Sequence, residues 1–398
     1  MTFIFYILAA LLIFLSYRSF RGGINYLNYF QQELAKPRSE FTPFASVIVP
    51  CKGLDQGLKE NLEALLIQDY PEYEVIFVVD DPDDAAIPVI REVSPDANIV
   101  AAGKAAKSGQ KVENLRESVL HAAPASTVLV FADSDARPSR DWLRHLVAPL
   151  QDDNVGVATG YRWFISTRPG LASELRSVWN ASIASSLGPG LNNQFCWGGS
   201  TAIRRETFER LDIRGKWHGT VSDDFVLARA VRDAGRVIYF VPQALTASVD
   251  DCTLRELFEF TTRQIKLTRV YAPRLWKMLF FSSGLFSVVM LSAVPLAIFS
   301  GNGVAVGAAI FTFITVSVLS IGKAWLRLKA VRLVMKEYEK ELRGQAVPQL
   351  TLWLLTPLLF FYNSAAALFS RRIKWRGTSY LLVSATETRV LQRGRDAQ

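Results

Sequence analysis

Ala45-Ser-Val-Ile-Val-Pro50, Tyr73-Glu-Val-Ile-Phe-Val-Val79 and Thr127-Val-Leu-Val-Phe131 are three short runs rich in β-branched and aromatic residues. Each stops at a turn or an acidic group: Cys51-Lys52-Gly53, Asp80-Asp81 and Asp133-Ser134-Asp135. Runs of this kind read as strands buried on both faces. Helical spacing fills the gaps, from Leu58 to Gln68 before Pro71 and from Val112 to His121, and Asn98 to Ala101 adds a further strand. Strands alternating with helices predict an α/β domain with a mostly parallel sheet. Ligands bind such sheets at the carboxyl ends of the strands. The acidic residues stand there, and although any one Asp after a strand can be a turn or cap residue, several together point to an active site.

Asp133 and Asp135, two apart at a strand end, can converge on one hard cation, Mg²⁺ or Mn²⁺, that also takes phosphate oxygens. A basic loop, Lys104, Lys107 and Lys111, precedes Asn114 and can hold a diphosphate through ammonium groups and turn amides; a solvated loop is the alternative. Lys111 is the best placed because it opens a helix. Ser222-Asp223-Asp224-Phe225 starts another helical pattern. Its carboxylates suit the helix dipole, and Asp224 suits a general base toward an acceptor hydroxyl. Trp197-Gly198-Gly199 sets a glycine pair beside an aromatic, where backbone can approach a ligand closely. Arg263, Gln264, Lys266 and Arg269 lie among Phe258, Phe260 and Tyr271, a pattern for a helix at a membrane surface.

The 398 residues suffice for one such domain plus membrane segments. Apolar residues concentrate at the N-terminus and after residue 278. The run Thr2–Ser16 lacks the charged start and small-residue cleavage site of a signal peptide, so it reads as an anchor over 1–20 whose basic end, Arg18 and Arg21, faces the cytosol. Met278–Ser300 and Val304–Gly322, separated by Gly301-Asn302-Gly303, read as a transmembrane hairpin over 278–322. Leu350–Phe369, within 350–370, is a further span or a re-entrant helix, since its crossing count and the basic cluster behind it disagree about sides. The stretch 261–277 and the basic, apolar stretch 323–349 read as interfacial helices, with a cytosolic catalytic domain over 44–260 and a basic tail over 371–398. The net charge of +8 lies mainly beside apolar blocks, as in Arg371, Arg372, Lys374 and Arg376. That favours anionic lipid headgroups of the bilayer over nucleic acid as the partner. Cys51, Cys196 and Cys252 are dispersed and form neither a disulfide framework nor a zinc site.

With these motifs the chain resembles the family 2 type of nucleotide-sugar glycosyltransferases, and within it the ceramide glucosyltransferase group. The residues that carry the likeness are Pro50-Cys-Lys-Gly-Leu-Asp55 with Glu60 to Leu62, Val79 to Asp84, Ala132 to Asp135, Asp223-Asp224, and Ile373 to Tyr380, similar to a Trp-Arg-Gly-x-x-Tyr ending. The resemblance implies a GT-A fold, a UDP-sugar donor and inversion at the anomeric carbon. On it, Asp80 contacts the uracil or ribose, Asp133 and Asp135 hold the metal, Arg263 and Lys111 serve the donor, and Asp224 is the base. It further implies a hexosyltransferase passing a hexose, glucose foremost, to a membrane lipid such as ceramide or diacylglycerol, in a multi-pass membrane protein, the cell inner membrane if bacterial. Of the family's Gln/Arg-x-x-Arg-Trp motif only Arg263 is present, since Phe260 and Gln264 replace its first and last residues. A processive polysaccharide synthase of the same superfamily and a non-catalytic membrane binding protein are the alternatives.

Overall fold

The computed structural model describes residues 2–190 and 194–393. It divides into two compact units, one of residues 32–168, 187–251 and 371–398, the other of residues 1–31, 169–186 and 252–370.

The first unit is built on seven strands: β1 (Ala45–Pro50), β2 (Tyr73–Val79), β3 (Asn98–Ala101), β4 (Val128–Ala132), β5 (Val155–Ile165), β6 (Ser200–Arg204) and β7 (Val237–Val249). Their order is β3-β2-β1-β4-β6-β5-β7, and only β6 runs antiparallel to its neighbours. The side-chain period of two explains the unbroken apolar runs. In β1, Ala45, Val47 and Val49 enter one apolar layer and Ile48 the other, and Phe77 and Val79 of β2 face opposite to Ile76 and Val78. Both layers are closed by helices, so β1 and β4 have no polar face to show. Because β1 is paired in parallel with β2 and β4, the segments after β1, β2 and β4 emerge at one edge of the sheet.

Three further strands, β8 (Arg372–Trp375), β9 (Thr378–Leu382) and β10 (Thr388–Arg393), form a separate antiparallel sheet that belongs to this same unit. The expected basic tail is therefore structured. Alternation explains it: Ile373, Tyr380 and Leu382 are buried while Arg372 and Lys374 point outward.

The second unit is helical. Four of its helical segments are long and apolar enough to cross a membrane: Thr2–Leu34, Pro273–Phe299, Gly303–Val334 and Ala346–Phe369. Several boundaries differ from the sequence expectation. The first helix does not stop near residue 20 but runs to Leu34, about 50 Å at 1.5 Å per residue. The helix that begins at Gly303 passes through 322/323 without a break, so 323–349 is not one interfacial helix but the end of that helix followed by short helical turns. Gly322 suggests a stop, yet it serves contact: a Cβ there would lie 2.7 Å from the Phe20 ring. Leu254–Tyr271 replaces a helix over 261–277, and Pro273 opens the next helix at a position where its missing N–H costs nothing. Residues 169–186 leave the catalytic domain for the helical unit because Leu175 and Trp179 pack with Leu257, Leu359 and Phe360.

Candidate active site

The first acidic pair follows β2. Asp80 is buried, and its Oδ2 receives Lys52 Nζ at 2.8 Å and Lys104 Nζ at 3.6 Å, while its Oδ1 is buried without a hydrogen-bond partner. Asp81 pairs with Lys104 at 2.9 Å, which lowers its pKa. Asp84 caps the loop after β1 by accepting from Gly53 N at 2.8 Å.

The Asp133-Ser134-Asp135 turn follows β4. Arg162, from the interior of β5, reaches both carboxylates, with its NH2 nitrogen 2.9 Å from Asp133 Oδ2 and its NH1 nitrogen 3.1 Å from Asp135 Oδ2. The guanidinium also stands over the Trp197 ring, 4.6 Å from its centroid. Asp135 Oδ1 is buried and has no hydrogen-bond partner. The other oxygen of Asp133 receives Lys111 Nζ at 2.7 Å. Burial alone would raise the pKa of Asp133, but Lys111, Arg162 and Arg376 outweigh it and hold the carboxyl below its ordinary value.

Lys111 is the hinge of the arrangement. It lies in the first turn of helix Gln110–Ser118, and its Nζ is 3.4 Å from Asp223 Oδ2 as well. Burial works to lower the Lys111 pKa, yet Asp133 and Asp223 raise it, so the ammonium stays charged.

Asp223 and Asp224 open helix Asp223–Asp233, where Ser222 is the N-cap and accepts from Phe225 N at 3.3 Å. The two differ in setting. Asp223 is buried behind Lys111 with its pKa pushed up to about 6, by desolvation first, then by the charge of Asp224. Asp224 is half-buried, and its Oδ1 accepts from Phe225 N at 2.7 Å and from the Ser222 hydroxyl. Burial raises its pKa also. The glycine pair closes the space between these groups. A Cβ on Gly198 would lie 2.0 Å from Asp223 Oδ2, and one on Gly199 would lie 2.3 Å from the Trp197 ring and 2.6 Å from Asp133 Oδ2. Both positions require the absence of a side chain.

Asp80, Lys111, Asp133, Asp135, Gly198, Gly199 and Asp224 therefore all fall in the α/β unit, at the edge where β2 and β4 end. Arg263 belongs to the helical unit, on helix Leu254–Tyr271, with its guanidinium 5.5 Å from the Phe260 ring.

A model of glycosyl transferase family 21 matches residues 5–388. The chain belongs to that family. Its curated relatives include ceramide glucosyltransferase 1 of Caenorhabditis elegans, 20% identical over 241 residues that make up 58% of this chain and 51% of the relative. The ceramide glucosyltransferase of Candida albicans is 30% identical over 122 residues, 26% of this chain and 22% of that one. The matches thus span about half of one curated relative and under a quarter of the other. Among solved structures, a mannosyltransferase from Pyrobaculum calidifontis in complex with GDP-Man and Mn²⁺ aligns over 89% of this chain and 99% of its own, at 19% identity and a TM-score of 0.44.

In this family 21 glycosyltransferase, Arg162 is the residue of the site that the sequence does not mark, since it sits inside a strand with no charged neighbour in sequence. Lys52 and Asp55 carry the family likeness without an assigned role. Asp55 accepts Ser134 Oγ at 2.9 Å and pairs with Arg376 at 2.5 Å. Arg376 itself was grouped with residues facing lipid headgroups, and the structure corrects this: it is turned to the acidic site of the α/β unit. The one available signal was its place in the Trp-Arg-Gly turn.

Proposed function

We propose that the protein transfers a hexose, glucose foremost, from a UDP-sugar to a hydroxyl of a membrane lipid such as ceramide or diacylglycerol, with inversion at the anomeric carbon. The observation that carries this is the position of Lys111, shared between Asp133 and Asp223 at 2.7 and 3.4 Å. It joins the carboxylates suited to a donor's diphosphate and those suited to an acceptor's proton into one site. The curated relatives' names support the acceptor class, as do four segments apolar and long enough to cross a bilayer.

The residues fit a divalent cation. Asp133 and Asp135 already converge on a single cationic group, the Arg162 guanidinium, and Asp135 Oδ1 retains an unspent buried lone pair. Among the described residues no three His, Cys, Asp or Glu form a cage, so a Mg²⁺ or Mn²⁺ ion here would need phosphate oxygens and water as its remaining ligands. Charge points the same way. Asp55, Asp80, Asp81, Asp133, Asp135, Asp223 and Asp224 outnumber Lys52, Lys104, Lys111, Arg162 and Arg376 by two, an excess that repels a bare diphosphate. Asp133 and Asp135 would hold the ion, which would supply positive charge against the diphosphate.

The chain's own groups do the rest. Asp80, with one carboxylate oxygen unspent, orients the uridine. Lys111 donates to the diphosphate from the first turn of its helix. Gly198 and Gly199 give the sugar a surface without side chains. Asp224 accepts the proton of the acceptor hydroxyl as its oxygen bonds to the anomeric carbon. The bond from that carbon to the diphosphate breaks and leaves its electron pair on UDP. Burial, by raising the pKa of Asp224, makes it a stronger base than an exposed aspartate. Arg263 is the remaining donor-binding candidate. Four helices long and apolar enough to cross a membrane support a multi-pass membrane protein, and the basic Arg18 and Arg21 within the first helix favour a cytosolic catalytic unit.

The deciding assay supplies labelled UDP-sugars and extracted lipids with Mg²⁺ or Mn²⁺ and follows label into the organic phase. Metal-dependent transfer that Asp224→Asn abolishes while UDP still binds is the expected result. Label confined to a water-soluble polymer would instead establish a processive synthase, and transfer by Asp224→Asn at the normal rate would remove that residue from the role of base.

A further inference from the structure

The β8–β9 hairpin turns through two residues, Arg376 and Gly377, between the paired Trp375 and Thr378. Both have positive φ, +47° and +76°, the conformation in which Asn-Gly or Asp-Gly is favoured and a long side chain is disfavoured at the first position. This chain nevertheless puts an arginine there, and a residue held in that region against its preference marks a site where the side chain has a task.

What the side chain meets defines the task. The NH1 nitrogen of Arg376 is 2.5 Å from Asp55 Oδ1 and donates to Lys52 O at 3.1 Å, and the NH2 nitrogen donates to Asp55 Oδ2 at 2.9 Å. Asp55 accepts Ser134 Oγ at 2.9 Å, so the guanidinium is one residue removed from the Asp133-Ser134-Asp135 turn. Its charge is one of those that hold Asp133 ionised. From the neighbouring strand, the buried Tyr380 accepts Gln110 N at 3.2 Å, beside Lys111. One small sheet thereby fastens both banks of the donor site, the acidic turn and the first turn of the Lys111 helix. The side chain of Arg376 keeps 38% of its exposure, so it is not sealed against Asp55.

We propose that Arg376 binds the diphosphate of the nucleotide donor, which makes the C-terminal sheet part of the donor site. This rests on the nucleotide-sugar reading of that site. A planar guanidinium at the rim of a carboxylate cluster matches phosphate oxygens in pairs, as an ammonium does not.

Calorimetric titration of the full-length protein in detergent with UDP plus Mn²⁺, and separately with uridine, tests it. Arg376→Ala is expected to weaken UDP by about tenfold or more, the loss for one charge-assisted bond to phosphate, and to leave uridine affinity unchanged. Arg376→Lys is expected to recover part of the loss. Unchanged UDP affinity in Arg376→Ala, or a parallel fall for UDP and uridine, would show a purely structural arginine and overturn the proposal. If the unaltered protein binds no UDP and no GDP, the nucleotide-sugar reading falls and the proposal with it.

Discussion

Gly199 is wedged between an indole and a carboxylate. A methyl group there would lie within 2.6 Å of both Trp197 and Asp133, so Gly199→Ala must push aside a group that the chemistry needs. Its kcat/KM is expected to fall by about 100-fold, whereas Gly188→Ala, which meets nothing within 4 Å, leaves activity unchanged. Initial rates of the two variants at donor concentrations well below saturation check this. Asp224 gives the pH dependence. A carboxyl whose pKa is raised by burial is protonated, and so useless as a base, below that raised value. Activity is therefore lost as pH falls, with a midpoint above the ordinary carboxylate value of about 4, and a profile flat down to pH 4 would contradict the role. Cys51 and Cys196 have thiol pKa values pushed far up by burial, so iodoacetamide at pH 8 is expected to modify Cys252 alone, as read by peptide mass. At this scale the sequence was legible where a candidate residue stood at a strand or helix end: Asp80, Asp133, Asp135, Lys111 and Asp224 are brought to one edge of the sheet. It was not legible for Arg162 or Arg376. Their roles depend on strands meeting across a sheet or returning from far along the chain, and no local spacing records either.

The strands were the clearest elements to read, because β1, β4 and the second half of β2 are buried on both faces and are rich in Val, Ile, Leu and Phe. Helix ends were read less well. Gly22-Gly23 and Gly322 look like stops, but all three lie inside helices. At Gly23 and Gly322 the helices Thr2–Leu34 and Gly303–Val334 come close, with Cβ positions 3.1 Å from Lys323 and 2.7 Å from Phe20. Small residues let helix backbones pack closely where apolar burial gives no preference between protein and lipid. Gly322→Val is expected to cost about 1–3 kcal/mol through overpacking, seen as a lower thermal midpoint in detergent. Gly307→Val, with open space around it, is the control expected to show no change. The C-terminal sheet was missed for a different reason. Its strands are short and half exposed, so positive charge dominates the stretch and masks the alternation of Ile373, Tyr380 and Leu382.

On the scale of the molecule, the conflict between crossing count and charge at 371–376 has a resolution in connectivity. The stretches before residue 252 and after residue 370 belong to one compact unit, which favours the re-entrant reading of Ala346–Phe369. On that reading Pro273–Phe299 and Gly303–Val334 make one excursion, and Ala346–Phe369 enters and leaves by the same face. A single cysteine placed at Asn302 is expected to react with an impermeant maleimide from the side opposite to cysteines placed at Lys340 and Ser384. Labelling of Ser384 together with Asn302 would refute the re-entrant assignment. The same connectivity has a consequence for biogenesis. On the ribosome, the seven strands of the main sheet are complete by Val249, but Arg376 and Tyr380 emerge only after every membrane segment has been made. A chain whose helices insert in the wrong orientation leaves those residues stranded across the bilayer from their partners Asp55 and Gln110. If Arg376 and Tyr380 complete the donor site as proposed, correct insertion is a precondition for its assembly, and a misinserted chain is born inactive rather than merely misplaced.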